Sequence, residues 1–216
     1  YPLPAGAMMP SGAPDTIVGG FPGGGHAARN FVLDGKGNLF VNVGSNTNSC
    51  QEQDRKTGVK GVDPCIELET RAGIWKFSAT KVGQQFSAGA RFATGIRNAV
   101  GLTWNAGEGK LYSTQHGRDQ LHDNWPEVFP DVAYQAENPG EQLIQINQGD
   151  DFGWPHCYYS IVERHLVDAP EYGAMKSIGA GSEADAATTI VYSIAPASLS
   201  FCTTDAIVDA FCPIAT

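Results

Sequence analysis

A β-hairpin pattern occurs twice along this 216-residue chain and restricts the folds open to it. Residues 30–43 (NFVLDGKGNLFVNV) consist of an apolar run, a turn at residues 34–38, and a second apolar run that opens with leucine and an aromatic residue. Residues 100–114 (VGLTWNAGEGKLYST) repeat this order around a turn at residues 105–110. Because Asp or Asn with glycine between two apolar runs is a strong hairpin signal, both copies predict antiparallel strand pairs.

Other segments extend the β pattern over much of the chain. There is no long 3.6-residue periodicity, and short runs rich in Val, Ile, Phe, Tyr and Thr alternate with clusters of Gly, Asp and Asn. Further strands are predicted at residues 72–77, 84–87, 142–146, 188–192 and 197–201. We therefore expect an all-β fold, with a β-propeller favoured and a β-sandwich as the alternative.

The spacing of the two hairpins predicts loop insertions. Leu39 and Leu111 hold equivalent positions 72 residues apart, whereas a compact propeller blade takes roughly 40–50 residues. The candidate insertions are residues 46–69, 120–140 and 156–187.

Residues 1–14, rich in Pro, Gly and Ala, are predicted to be a flexible N-terminal segment, and residues 15–216 to be one partial propeller domain. A first residue of Tyr1 predicts that the chain begins inside a longer gene product or after processing.

Charge and motif content exclude several function classes. The formal net charge is −9 and no basic run is present, so binding to nucleic acid or to an anionic membrane is not expected. No apolar stretch approaches the roughly 18–20 residues that cross a bilayer, so we expect no membrane insertion. The glycine motifs of serine hydrolases, P-loop proteins and Rossmann folds are also missing from the sequence.

His26 is a candidate general base. It follows three glycines and precedes the first hairpin. A glycine run allows a sharp turn that leaves the imidazole at the mouth of a strand, where it can meet a substrate hydroxyl. The alternative is an ordinary loop histidine.

Arg97 and Asn98 hold the equivalent place ahead of the second hairpin. The planar guanidinium fork and the amide together suit a planar, polyanionic ligand. A structural role, in which the arginine bonds loop carbonyls, is about as well supported by this pattern alone.

Residues 115–119 (QHGRD) close the second hairpin and form a candidate Ca²⁺ loop. Gly117 lets consecutive main-chain carbonyls turn to one side, which offers oxygen ligands without carboxylates. A zinc site with His116 and His122 is disfavoured because their spacing is not that of a helical metal pair. Residues 149–155 (GDDFGWP) are an alternative Ca²⁺ site, although we favour a structural role for Trp154 at a blade junction.

Five cysteines are an odd number, so in a secreted protein at least one of them has no disulfide partner within the chain. Cys50 and Cys65 bracket a polar loop, and their cross-link would remove about 3 kcal/mol of unfolded-state entropy. We predict a disulfide between them and a secreted or periplasmic protein. The remaining thiols, Cys157, Cys202 and Cys212, receive no assignment.

Six motifs follow one another along the chain in a specific order. They are residues 26–29 (HAAR), 73–77 (GIWKF), 95–98 (GIRN), 115–121 (QHGRDQL), 123–126 (DNWP) and 149–155 (GDDFGWP). This order resembles the soluble quinoprotein sugar dehydrogenases over about residues 15–201. The sorbosone dehydrogenase branch is the closer match, because residues 48–50 (NSC), 63–65 (DPC), 69–75 (ETRAGIW) and 157–159 (CYY) also look like that group.

The resemblance implies a fold and an activity. The fold is a six-bladed β-propeller of the glucose and sorbosone dehydrogenase type, which holds pyrroloquinoline quinone (PQQ) and Ca²⁺ at one end of its channel. The reaction is oxidation of a sugar or sugar aldehyde by hydride transfer to the quinone, with an external electron acceptor. At roughly 40–50 residues per blade plus insertions, 216 residues build about three to four blades. We therefore expect an incomplete propeller, and a truncated form with weak or no activity.

The resemblance also implies roles for five residues. His26 matches the general base that removes the hydroxyl proton. Arg97 and Asn98 match the pair that binds the quinone, and Arg97 also stabilises charge on the reduced cofactor. Gly117 and Arg118 match the two positions whose main-chain carbonyls hold Ca²⁺, so the Arg118 side chain is not itself an expected ligand.

Two departures from the family pattern predict weak or no activity. Gly25 stands where the glucose dehydrogenase branch has an aspartate before the catalytic histidine. Beyond Phe201 the family continues into blades that bring Lys and Arg to the quinone carboxylates, whereas this chain ends at Thr216. A non-catalytic propeller that binds other molecules is therefore the alternative function. A Ca²⁺-dependent propeller lactonase leaves Arg97 and Asn98 unexplained.

Overall fold

The computed structural model describes residues 4–173 and the backbone of residues 190–194. Within these residues the strands are β1 (Val18–Gly19), β2 (Phe31–Leu33), β3 (Asn38–Val43), β4 (Gly73–Ser78), β5 (Gln84–Gln85), β6 (Arg91–Thr94), β7 (Ala99–Asn105), β8 (Lys110–Gln115), β9 (Glu141–Ile146), β10 (Cys157–Ser160), β11 (His165–Asp168) and β12 (Ile190–Ile194). Two four-residue helices, α1 (Leu121–Asn124) and α2 (Tyr134–Glu137), and two 3₁₀ turns, Ile66–Glu69 and Ala88–Ala90, complete the elements. None of the helices in this part of the chain has the length and hydrophobicity of a transmembrane segment.

Two four-stranded sheets follow each other along the chain. Sheet 1 has the order β2-β3-β4-β6 and sheet 2 the order β7-β8-β9-β12, with antiparallel neighbours throughout. Both predicted hairpins are confirmed, since Leu33 pairs with Leu39 and Trp104 pairs with Leu111. Two consecutive sheets with the same up-and-down order are typical of propeller blades. The number of blades and the closure of a ring stay predictions.

The main core lies between the two sheets. Phe40 and Ile74 come from sheet 1, whereas Leu111, Ile144 and Ile146 come from sheet 2, and all five are at most 2% exposed. Because side chains alternate across a strand, Phe40 of β3 points into this interface, whereas Val41 and Val43 pack in a second cluster on the other face of sheet 1. Packing of this interface fixes sheet 1 against sheet 2 and therefore the loops at their shared edges.

The structure also differs from the strand predictions. The sequence pattern does not identify β6, and the predicted insertion at residues 156–187 contains the antiparallel hairpin β10–β11. The sequence does not predict this hairpin, because its strands have only four residues each and show no clear alternation. Polar residues around Arg164 also make the segment resemble a loop. The predicted strand at residues 197–201 lies outside the described residues.

The predicted disulfide between Cys50 and Cys65 is confirmed. Their Cα atoms are 6.2 Å apart, and both residues are buried in a small cluster with Ala72 and Trp154. Cys157 is free and buried, and burial raises the pKa of its thiol to about 12. Cys202 and Cys212 lie outside the described residues.

Thiol titration under denaturing conditions is expected to find three free thiols, since the disulfide removes two of the five cysteines. The Cys157→Ser variant, titrated in parallel, should give two and so calibrates the assay. A result of five thiols in the unreduced protein would rule out the Cys50–Cys65 bond. In the native protein Cys157 should react slowly, because its buried thiol stays protonated.

Candidate functional site

Four loops that carry site residues meet at one end of the two sheets, where strands begin and end. We call this end the shared edge. In an antiparallel pair, the start of one strand lies beside the end of the next, so the segments before β2 and after β3 share an edge. The segments before β7 and after β8 are related in the same way. Two backbone hydrogen bonds link the loops: His26 N donates to Ser45 O at 2.9 Å, and Ser45 N donates to Arg97 O at 2.8 Å. The structure thus brings His26 and Arg97 to the two sides of Ser45.

Glycines make this close approach possible. Gly25 has a φ of +53°, and a Cβ at this position would overlap the main chain of Asn46. At Gly44 a Cβ would lie 2.7 Å from the Cβ of His26. Both positions therefore require glycine, which explains why the glycine run before His26 matters for its placement.

His26 is half-buried. Its Nδ1 is bonded to Ser45, and its Nε2 has no hydrogen-bond partner among the described residues. Its Nδ1 lies 2.9 Å from Ser45 Oγ and 3.0 Å from Ser45 O. Burial, and then the positive charge of Arg97, lower the pKa of His26 from its ordinary value of about 6.5. The ring is therefore neutral at pH 7, which is the state that a base needs.

Arg97 is buried and held on one side of its guanidinium. Nε donates to Asn48 Oδ1 at 2.9 Å, and Nη2 donates to Asn48 Oδ1 at 2.6 Å and to Asp119 Oδ1 at 3.0 Å. Burial lowers the pKa of Arg97, and the carboxylate of Asp119 opposes this effect. Since an arginine stays charged even so, a fixed cation lies close to His26.

Polar atoms at this edge are left without partners, as a bound ligand would require. The Oδ1 atom of Asn98 is buried, and no described residue forms a hydrogen bond with it. Arg97 Nη1 likewise makes no hydrogen bond with a described residue. A buried amide oxygen without a partner costs stability in the free protein. The two atoms fit a polar ligand with donor and acceptor groups.

The Gly117–Arg118 segment also fits its predicted role. Neither main-chain carbonyl accepts a hydrogen bond from a described residue. Gly117 packs directly against the carbonyl of Pro139, where any Cβ would overlap it. The Arg118 side chain is buried and pairs with Glu171, so the side chain is not available as a ligand. The carbonyls stay available for a hard cation such as Ca²⁺.

The alternative metal sites are not assembled. No group of three His, Cys, Asp or Glu residues among the described residues is arranged to hold a metal. His116 Nδ1 lies 2.9 Å from Glu141, whereas His122 Nδ1 bonds the carbonyl of Phe129 at 2.8 Å, so the two histidines have separate partners.

The residues of the 149–155 motif act in local structure. Asp150 accepts a hydrogen bond from Asn147 N at 2.7 Å, and Asp151 accepts one from Gly153 N at 2.9 Å. Trp154 packs on the buried disulfide and donates from Nε1 to Asn48 O at 2.9 Å. This position supports the structural role predicted for Trp154. The tryptophan also holds Asn48, which is the residue that Arg97 bonds.

Sequence reasoning missed two charged residues of the site. Asp119 lies 3.0 Å from Arg97, 3.6 Å from Arg55 and 3.9 Å from Arg118. Burial raises the pKa of Asp119, but the three arginines together lower it further, so the carboxyl is ionised. Asp119 is part of the 115–121 motif, so the sequence does contain a signal for it. Arg55 lies in the disulfide loop and has no sequence signal.

Glu171 is a third missed residue and joins three loops. Its side chain is fully buried, and Oε1 accepts hydrogen bonds from Ser49 Oγ at 2.9 Å, from Trp125 Nε1 at 2.9 Å and from Arg118 Nη2. Its main-chain carbonyl also accepts a bond from Gly61 N at 3.1 Å. One carboxylate therefore fixes the disulfide loop, the Gly117–Arg118 segment and α1 relative to each other.

Comparison with known proteins gives a family match and a curated relative. A family model described as TrAA12-like matches residues 1–188. A pyrroloquinoline quinone-dependent sugar dehydrogenase of Hypocrea jecorina (strain QM6a) is 27% identical over 152 residues, which cover 66% of this chain and 33% of that protein. The chain thus spans about a third of the length of the curated relative it matches.

Solved structures show similarity over a comparable stretch. The iodide structure of Trichoderma reesei Carbohydrate-Active Enzymes Family AA12 matches with a TM-score of 0.50 at 23% identity, over 66% of this chain and 34% of that chain. The soluble aldose sugar dehydrogenase of Escherichia coli in the apo-form matches with a TM-score of 0.41 at 19% identity, over 74% and 39%. The first match supports a shared fold over the 66% of this chain that it covers.

Proposed function

The chain belongs to the TrAA12-like family, and we propose that it contributes the base and part of the cofactor site for PQQ-dependent oxidation of a sugar or sugar aldehyde. A curated relative that is itself named a PQQ-dependent sugar dehydrogenase supports this chemistry. The observation that carries the proposal is the convergence of His26 and Arg97 on Ser45, together with the buried and unpartnered Oδ1 of Asn98, the residue after Arg97.

Each residue at the shared edge has a role in this proposal. Bound PQQ would supply the hydride acceptor. His26 would take the hydroxyl proton of the substrate at a ring nitrogen, which its lowered pKa keeps unprotonated. Arg97 and Asn98 would bind the quinone through their free donor and acceptor atoms, and the fixed charge of Arg97 would favour negative charge nearby. The carbonyls of Gly117 and Arg118 would hold Ca²⁺.

Substrate branch and location are part of the same proposal. The motifs at residues 48–50, 63–65, 69–75 and 157–159 favour the sorbosone dehydrogenase branch. The first two of these contain the cysteines of the buried disulfide, so the branch motifs coincide with a structural bond. A disulfide of this kind favours a secreted or periplasmic protein. The partners would be a small sugar and an external electron acceptor.

Reconstitution with PQQ and Ca²⁺ tests the proposal. Because the chain spans about a third of its curated relative, the 216 residues alone are expected to bind quinone weakly or not at all. The protein encoded by the complete gene is expected to bind PQQ with Ca²⁺ and to reduce a dye when an aldose is added. Strong activity of the 216-residue chain alone would contradict the expected incompleteness. Absence of quinone binding in both forms would reject the enzyme proposal and favour the non-catalytic binding propeller.

A further inference from the structure

The Nδ1 atom of His26 faces two oxygens of a single residue. Ser45 Oγ lies 2.9 Å from it and Ser45 O lies 3.0 Å from it. The main chain of His26 is docked on the same residue, because His26 N donates to Ser45 O at 2.9 Å. Ser45 is fully buried, and its own N donates to Arg97 O at 2.8 Å. A buried residue bonded on both sides therefore determines how the imidazole is presented.

Both oxygens of Ser45 act as acceptors toward the ring. The carbonyl oxygen carries no hydrogen, so it can only accept. The hydroxyl hydrogen is already used, since Ser45 Oγ donates to Thr47 O at 2.7 Å. An unprotonated Nδ1 would face two oxygen lone pairs at hydrogen-bond distance with no hydrogen between them. The hydrogen of the neutral ring must therefore be on Nδ1.

We infer that Ser45 is a positioning residue that holds His26 as the Nδ1–H tautomer and so leaves the Nε2 lone pair as the base. Nε2 has no hydrogen-bond partner among the described residues. The assignment of the base role rests on the proposed function, whereas the tautomer rests on the geometry alone. Sequence analysis does not single out Ser45, since its importance comes from the fold.

The partner of His26 is neutral, and this has a chemical consequence. An aspartate partner would stabilise the protonated ring, whereas a serine hydroxyl and a carbonyl stabilise it much less. The charged groups that act on His26 in the described residues are Arg97 and Arg55, which disfavour its protonation, and Asp119, which favours it. The bond to Ser45 raises the pKa of His26, but burial and the charge of Arg97 lower it further, so the oriented ring stays neutral.

The tautomer can be measured directly by ¹⁵N NMR of the imidazole in the 216-residue chain, without cofactor, above the pKa of His26. The wild-type spectrum is expected to show Nδ1–H with an unprotonated Nε2. In Ser45→Ala the carbonyl remains but the hydroxyl acceptor is lost, so the ratio of the two tautomers should move toward Nε2–H by roughly fivefold, the factor that one ordinary neutral hydrogen bond contributes. Ser113→Ala is the matched control, because Ser113 is also buried and its Oγ donates to a carbonyl, that of Gly101, at 2.7 Å.

The outcomes separate this inference from the proposed function. A wild-type ring in the Nε2–H form overturns the inference, and so does a Ser45→Ala variant with an unchanged tautomer ratio. A change of equal size in Ser113→Ala overturns the role of Ser45 as well, since it would reflect general loosening. An Nδ1–H ring in a full-length protein that shows no quinone-dependent activity supports the positioning by Ser45 and rejects the enzyme proposal.

Discussion

His26→Ala is expected to lower the turnover number of the full-length protein by about 10²–10⁴, the usual contribution of a general base. The affinity for PQQ should stay within about twofold, because the proposed quinone contacts are made by Arg97 and Asn98. The base must be neutral to act, and burial with Arg97 lowers the pKa of His26. The activity of the wild type should therefore persist as the pH falls below about 6.5 and be lost only as it passes through the lowered pKa.

Dye reduction and PQQ fluorescence titration, carried out on the same preparations, separate turnover from cofactor binding. His165→Ala is a suitable control, since the Nδ1 of His165 lies 2.7 Å from the carbonyl of Glu163 in the β10–β11 hairpin and His165 has no role in the proposed site. Undiminished turnover in His26→Ala would remove His26 from the mechanism. Lost PQQ binding in His26→Ala would instead assign His26 to the cofactor site.

Glu171→Ala is expected to lower the free energy of unfolding by about 3–5 kcal/mol. The substitution leaves the buried guanidinium of Arg118 with only a long contact of 3.9 Å to the carboxylate of Asp119, and a buried charge without a close partner is strongly destabilising. It also removes the acceptor of Ser49 Oγ and Trp125 Nε1. The disulfide loop and the Gly117–Arg118 segment should both lose their fixed position in this variant, because the same carboxylate holds both.

Urea denaturation followed by tryptophan fluorescence measures this loss, and Trp125 is a local reporter. Glu163→Ala is the matched control, because Glu163 is an exposed glutamate on the neighbouring hairpin turn and its removal should have no measurable effect. Glu171→Gln keeps an acceptor but not the charge, so its stability should lie between the wild type and Glu171→Ala. Equal stability of Glu171→Ala and Glu163→Ala would show that Glu171 does not hold the loops.

The sequence predicts those parts of the fold that local chemistry determines. The two hairpins follow from turn residues between apolar runs, and Leu33 with Leu39 pairs as expected. The disulfide follows from two cysteines with a short polar loop between them. Strand β6 was missed because Arg91–Thr94 is short, carries a charge and is recognisable only by its pairing with β4.

The candidate site divides in the same way. The sequence predicts His26, Arg97 and Asn98 as candidates because each precedes a recognisable hairpin, and the fold brings His26 and Arg97 together. Glu171 could not be found, because its partners Ser49 and Arg118 are 122 and 53 residues away along the chain. A buried carboxylate has the same sequence appearance as an exposed one, so only the tertiary structure reveals it.

The two hairpin turns lie far from the candidate site and are therefore suitable attachment points. The antiparallel order that collects the site residues at one edge sends the hairpin turns to the opposite edge. Residues 35–37 and 106–109 are exposed there, and a Cβ at Gly35 would meet open space. A fluorophore, an affinity tag or a conducting linker fused into either turn would therefore leave the edge that carries His26 and Arg97 undisturbed.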